Sequence, residues 1–165
     1  MNNAFTKWFI LCVRHKYADF NGRARRKELW MFSLVYLILA IILQLIGFGV
    51  ISVLGATKYH YVPVFLGNIF MLALLVPGIA VTVRRLHDVG KSGWWFLLVL
   101  PVTISGAGEM GIIDLLGDAL FIIFALAAIA AALYFLYLMV KDGQPDANQW
   151  GENPKIADAW RGASR

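Results

Sequence analysis

The residues best equipped for chemistry fall in two basic motifs. One is Arg84-Arg85-Leu86-His87-Asp88-Val89-Gly90-Lys91-Ser92-Gly93-Trp94-Trp95. His87 and Asp88 offer a base and its orienter, and the arginines offer forked donors for a phosphate or an anionic lipid headgroup. Adjacent residues face apart on a helix, so this dyad requires a loop. The other motif, Gly22-Arg23-Ala24-Arg25-Arg26-Lys27-Glu28, sets four cations within five residues. Gly90-Lys91-Ser92 matches only the end of a phosphate-binding loop, without the earlier glycine or a preceding strand. His15, His60 and His87 lack metal-ligand spacing, so neither a metal nor a cofactor is expected. The single cysteine, Cys12, excludes an internal disulfide and reads as a small apolar residue on a helix face.

The elements that must position these motifs are membrane helices. Of 165 residues, 60% are hydrophobic and 15% charged, against roughly 45–50% and about 25% in an ordinary soluble domain. A soluble chain of this length cannot hide so much apolar surface. The net charge of +5 does not indicate nucleic acid, because the basic residues flank apolar runs rather than a polar domain. No cleavable signal peptide is expected, since the short run Phe9 to Val13 meets Arg14, His15 and Lys16 at once.

The pattern predicts an all-α polytopic protein. Phe5, Trp8, Phe9, Cys12 and Val13 fall on one face of a helix within the basic segment 1–28. It suits an interfacial amphipathic helix on an anionic leaflet, with a helix packed on the rest of the protein as the alternative. Asn21 and Gly22 are placed to cap the next helix. Spans are expected at about 29–54, 63–83, 94–113 and 119–140, since a bilayer core of about 30 Å takes about 20 helical residues. Pro77 frees the Ala73 carbonyl and should kink the second span. Lys58, Tyr59, His60 and Tyr61 suit the far headgroup belt. Ser92 is placed to cap the third segment, and Trp94-Trp95 to sit at the interface. That segment is short or broken: Pro101 lies inside it, and the stretch Ser105 to Asp118, with Glu109, Asp114 and Asp118, is expected to be an outer loop. The segment either crosses or is re-entrant. The alanines at 125, 127, 128, 130, 131 and 132 suit close packing of the last span. The tail 141–165 is expected to be irregular and frayed towards Arg165.

Charge favours four crossings with both termini cytoplasmic. Lys7, Arg14, Lys16, Arg23, Arg25, Arg26 and Lys27, then Arg84, Arg85 and Lys91, then Lys141, Lys155, Arg161 and Arg165 all fall inside. Only Lys58 falls outside. Three crossings would move the tail out and lose that asymmetry.

Phe20-Asn21-Gly22-Arg23-Ala24-Arg25-Arg26-Lys27-Glu28-Leu29-Trp30 resembles the entry motif of the bacterial inner-membrane family known as domain of unknown function 805. The run Arg84 to Trp95 resembles its second signature. Asn148, Trp150, Gly151 and Pro154 resemble its closing pattern. The resemblance covers about Tyr17 to Pro154. It implies a small multi-spanning inner-membrane protein and no particular activity.

Three classes of function compete. The expected one is a non-enzymatic structural or interaction component, with a second copy or another membrane protein as partner. Arg23, Arg25, Arg26, Lys27, Arg84, Arg85 and Lys91 would contact anionic lipid headgroups or that partner. Topology alone needs only positive charge, whereas Gly22, Glu28, His87, Asp88, Gly90, Ser92, Gly93, Trp94 and Trp95 form a specific motif set. Glu28 and Asp88 would pair with arginines of the opposite motif, Glu28 with Arg84 or Arg85, and clasp the two segments. The second class is an enzyme acting on lipid headgroups through His87 and Asp88. The third is a transporter or channel subunit, although the span centres hold only Gln44, Asn68 and Thr82 in place of ionisable residues.

Overall fold

Long uncharged apolar runs have one economical backbone state in lipid, the α-helix, which satisfies its own N–H and C=O groups. The computed structural model describes residues 9–54, 61–99 and 112–156, and there it is all-helical, with no strand. Three long helices carry it: α1 (Arg26–Leu54), α2 (Tyr61–Asp88) and α3 (Ile112–Val140). Each is long and apolar enough to cross a membrane. At 1.5 Å per residue, the 29 residues of α1 extend about 44 Å, well beyond a core of about 30 Å. The expected features of Phe5, Trp8, Lys58, Tyr59, His60, Glu109, Arg161 and Arg165 lie outside the described residues.

The chain divides into two compact units. The first comprises Met1–Phe20 and Lys27–Val81. Within it, α1 and α2 run antiparallel. Tyr36 stacks on Phe70 at 5.9 Å between ring centres. Gly78 leaves room for the Phe32 ring, and Gln44, the one strongly polar residue of the first span, lies against bare Gly67. The N-terminal segment forms a π-helical turn, Leu11–His15, ended by a bond from Lys16 N to Leu11 O. Its apolar face meets protein here: Phe9 stacks on Phe32 at 5.5 Å, and buried Cys12 donates to Glu28 Oε1 at 3.7 Å.

Pro77 lies within α2, which continues through it to Asp88. The Ala73 carbonyl that proline leaves without its helical donor accepts the Tyr17 hydroxyl at 2.6 Å.

The second unit comprises Asn21–Arg26 and Thr82–Arg165. A 3₁₀ helix, Gly93–Val99, lies on α3 through Trp95 against Tyr134 and Phe96 against Phe135. Gly93 permits a close approach, since a Cβ there would lie 2.8 Å from Val83 Cγ1. Ala128, Leu138 and Met139 are buried, while Ala127 and Ala130 are exposed.

The structure corrects two expectations. Residues 84–88, placed at the head of a loop, are the last turn of α2. Gly90, with φ of 79°, ends that helix in a Schellman motif, with Lys91 N bonded to Leu86 O at 2.9 Å and Gly90 N to His87 O at 3.1 Å. The expected loop before residue 119 is also shorter: α3 begins at Ile112 and includes positions 114 and 118. Position 114 falls in the first turn, where an acidic residue type favours a helix rather than opposes it. The segment at 94–113, expected to be short or broken, is not one continuous α-helix. It opens as the 3₁₀ helix, and its last two positions belong to α3. Pro101 has no N–H to offer the Leu97 carbonyl, which disfavours an α-helix there.

Candidate functional site

The polar centre of the second unit is built from the two basic motifs and the tail. Because residues 84–88 are helical, Arg85 and Asp88 share a face one turn apart. Asp88 Oδ1 accepts from Arg23 Nε at 3.0 Å, and Oδ2 accepts from Arg85 Nη1 at 2.5 Å. All three side chains are nearly inaccessible, at 1%, 6% and 0% relative exposure for Arg23, Asp88 and Arg85. A buried carboxylate between two guanidiniums is stable only when the remaining donors are also satisfied. Here the tail supplies them. Arg23 also donates to the carbonyls of Gln144, Asp146 and Gly151.

The C-terminal end of α3 receives the other arginines. Its last carbonyls lack helical partners, and no basic residue occupies its own last turn. Arg85 Nε donates to Met139 O at 3.3 Å, Arg26 Nη1 to Val140 O at 3.1 Å, and Arg85 Nη2 to Lys141 O. Cations at this end also favour the helix dipole. Arg25 donates to Pro154 O, and Ala24 N to Arg84 O at 3.0 Å.

Over residues 141–156 the tail is irregular, as expected, and it is docked; the fraying expected towards Arg165 lies outside the described residues. Gln144 N donates to Asp88 O at 2.8 Å. Gly143 and Gly90 make this seat possible: a Cβ on Gly143 would overlap the Asp88 carboxylate, and one on Gly90 would overlap the Gln144 amide. Asn148 bridges His87 O at 3.0 Å and Gln144 Oε1 at 2.8 Å, while its own Oδ1 accepts from Trp150 N. Asn153 bridges the Gln144 and Pro145 carbonyls. Outside this core, Asp142 joins Arg26 at 2.6 Å and Lys155 at 3.1 Å on the surface. The Lys155 contact, aided by the Arg26 charge, holds the Asp142 carboxyl below its ordinary value.

The motif residues therefore have definite places. Arg84 is fully buried, as is Glu28 in the first unit, and Lys27 is exposed. Gly22 takes φ of 81° and offers its carbonyl to His87 Nδ1 at 3.2 Å. A carbonyl only accepts, so Nδ1 carries the proton. The His87 ring stacks on Trp150 at 4.5 Å and 7°. His87 thus faces a carbonyl and an indole, and Asp88 faces two arginines. The base–orienter dyad is not assembled. Ser92 Oγ accepts from Trp94 N at 3.5 Å at the start of the 3₁₀ helix, and Lys91 Nζ sits 4.8 Å over the Trp95 ring. Among the described residues, no group of three or more His, Cys, Asp or Glu could hold a metal.

Sequence reading missed the tail's share of this centre, Gly143, Gln144 and Asn153 above all. The signal was present as turn chemistry: Asn148 and Asn153 each accept from a backbone N–H two residues on, as Asx turns do.

Residues 17–152 match the model of a family described as "Protein of unknown function (DUF805)". The chain is 32% identical over 149 residues to the inner membrane protein YhaH of Escherichia coli (strain K12), covering 90% of this chain and 97% of that one. It is 40% identical over 92 residues to the inner membrane protein YhaI of the same strain, covering 56% of this chain and 70% of that one. The uncharacterized protein YiiR of that strain is 30% identical over 96 residues, 58% of each chain. No solved structure matches the chain.

Proposed function

This chain belongs to the DUF805 family, and we propose that it is a non-enzymatic structural or interaction component of the bacterial inner membrane. It crosses four times, keeps both termini in the cytoplasm and contacts anionic lipid at that face. Its organisation is a basic segment 1–28, a membrane domain 29–140 and a cytoplasmic tail 141–165.

One observation carries this reading. Arg23 precedes α1, Asp88 ends α2, and Gln144, Asp146 and Gly151 follow α3, yet all are hydrogen-bonded together. The start of α1 and the ends of α2 and α3 therefore belong on one side of a membrane. Helices α1 and α2 make one round trip. Helix α3 alone would leave the chain on the wrong side, so the stretch between Asp88 and Ile112 makes the fourth crossing. The 3₁₀ helix accounts for about 14 Å of it, roughly half a bilayer core. The lysine and arginine asymmetry makes the shared side cytoplasmic.

The same geometry favours a structural role over chemistry on a headgroup. Arg23, Arg84 and Arg85 are buried inside the protein and half-buried Arg25 donates to Pro154 O, which leaves Arg26, Lys27 and Lys91 of the motif cations to meet a leaflet.

Cysteine labelling in intact cells and spheroplasts tests the topology. Single cysteines introduced in a Cys12→Ser background at Ser105 and at Ala147 should label from the periplasmic and cytoplasmic sides respectively. Periplasmic labelling at position 147 would sink the four-crossing reading.

A further inference from the structure

The second unit holds a strip of aromatic rings with a lysine at each end. Lys91 Nζ lies 4.8 Å from the centre of the Trp95 ring. Trp95 meets Tyr134 at 5.7 Å, and Tyr134 meets Tyr137 at 6.1 Å. Lys141 Nζ closes the strip 5.8 Å from the Tyr137 ring. Trp95, Tyr134 and Tyr137 are 36%, 39% and 53% exposed. Beside them Trp94, Trp95, Leu97 and Leu98 line an open apolar cleft of about 300 Å³. Lys91 follows the end of α2 and Lys141 the end of α3, so the strip lies where apolar span gives way to polar tail.

We propose that this strip is a binding site for a single anionic phospholipid, whose phosphate lies at a lysine end and whose acyl chain enters the Trp94–Leu98 cleft. The proposal rests on the anionic-lipid reading above and gives it an address. Charge selects the occupant. Among the described residues, no carboxylate lies within ion-pair distance of Lys91 or Lys141, whereas Arg26 and Lys155 share Asp142, and Arg23 and Arg85 share Asp88. The two lysines therefore keep uncompensated charge at a boundary where an anionic leaflet attracts it. Their ammonium groups cover the Trp95 and Tyr137 ring faces. A choline headgroup, which would seek those faces, meets like charge instead. Tyrosine and tryptophan suit the boundary itself, with an apolar body and a polar edge.

The test is native mass spectrometry of the full chain released from nanodiscs of equal phosphatidylglycerol and phosphatidylcholine. The unmodified chain should retain phosphatidylglycerol preferentially. K91Q/K141Q should lose that preference at least fivefold, K91R/K141R should keep it, and K155Q, which removes a cation outside the strip, should leave it unchanged. Should the double variant fail to fold, K91Q and K141Q singly carry the test, each expected to lose a part of the preference. Retention by K91Q/K141Q equal to the unmodified chain would overturn the site while leaving general lipid contact intact. Equal loss in K155Q would overturn it in favour of diffuse charge. No preference in the unmodified chain would overturn both the site and the anionic-lipid reading. A lipid-free dimer that W94A dissociates would give the strip to a second copy.

Discussion

Asp88 holds the Arg23 guanidinium at 3.0 Å from 65 positions away in the chain, with both side chains nearly inaccessible. This contact turns two basic motifs into one structure. It realises the Asp88 half of the clasp expected between them, and Arg85 shares the same carboxylate.

Removing Asp88 should be costly. Asp88→Asn would leave Arg23 and Arg85 buried without their anion, a change that typically costs about 3–5 kcal/mol. The melting temperature in mild detergent should fall steeply. In a cycle with Arg23→Gln, the two substitutions should couple, with the double variant less destabilised than the two singles predict. Strict additivity would mean the pair contributes nothing.

Two glycine substitutions should differ sharply. Gly143→Ala places a Cβ against the Asp88 carboxylate and should unseat the tail, freeing its docked backbone for cleavage after Lys141 and Lys155 in limited proteolysis. Gly49→Ala meets nothing within 4 Å inside α1 and should be neutral or stabilising by about 0.5–1 kcal/mol. Equal protease resistance at the tail in both variants would contradict the docking.

Tyr17→Phe should destabilise by about 1 kcal/mol through loss of the bond to Ala73 O. The cause can be isolated. Pro77→Ala restores an N–H able to reach the same carbonyl, so Tyr17→Phe should cost measurably less in that background. An unchanged cost would separate the hydroxyl from the proline.

His87→Phe should preserve more stability than His87→Ala, because a phenyl ring can keep the stack on Trp150 while losing the bond to Gly22 O. A catalytic His87 would instead leave both variants equally inactive and equally stable. Thermal melts of the two, with Trp150→Ala as a third, separate these outcomes.

The contact of Asp142 with Lys155 sets a pH dependence. The folded carboxyl titrates below its ordinary value, so its contribution is fully present above that value and is lost as pH falls through the folded one. Lys155 should therefore separate from Asp142 only in acid, with no change near neutrality. Carboxyl chemical shifts of Asp142 in a pH series check the direction, and Lys155→Ala should move the midpoint up.

Read alone, the sequence determines the membrane class, three long helices and the proline-freed carbonyl at Ala73. These follow from local rules: apolar run length, helix hydrogen bonding and turn residues act within a few positions. The first, second and last spans are legible for that reason, and the third segment is not for the same one, since its run is half-length and broken by Pro101. What only tertiary structure decided is how the polar residues are used. Four cations beside a span look alike whether they meet lipid or protein. Packing buries Arg23 against Asp88 and leaves Lys27 in the open, and it sends Tyr17 to Ala73. The tail could be read as turn formers but not as a docked element, because its bonds run to carbonyls and side chains that only the folded chain brings near. A buried charge needs its partner at hydrogen-bond distance, and that distance is a property of the fold rather than of any local stretch.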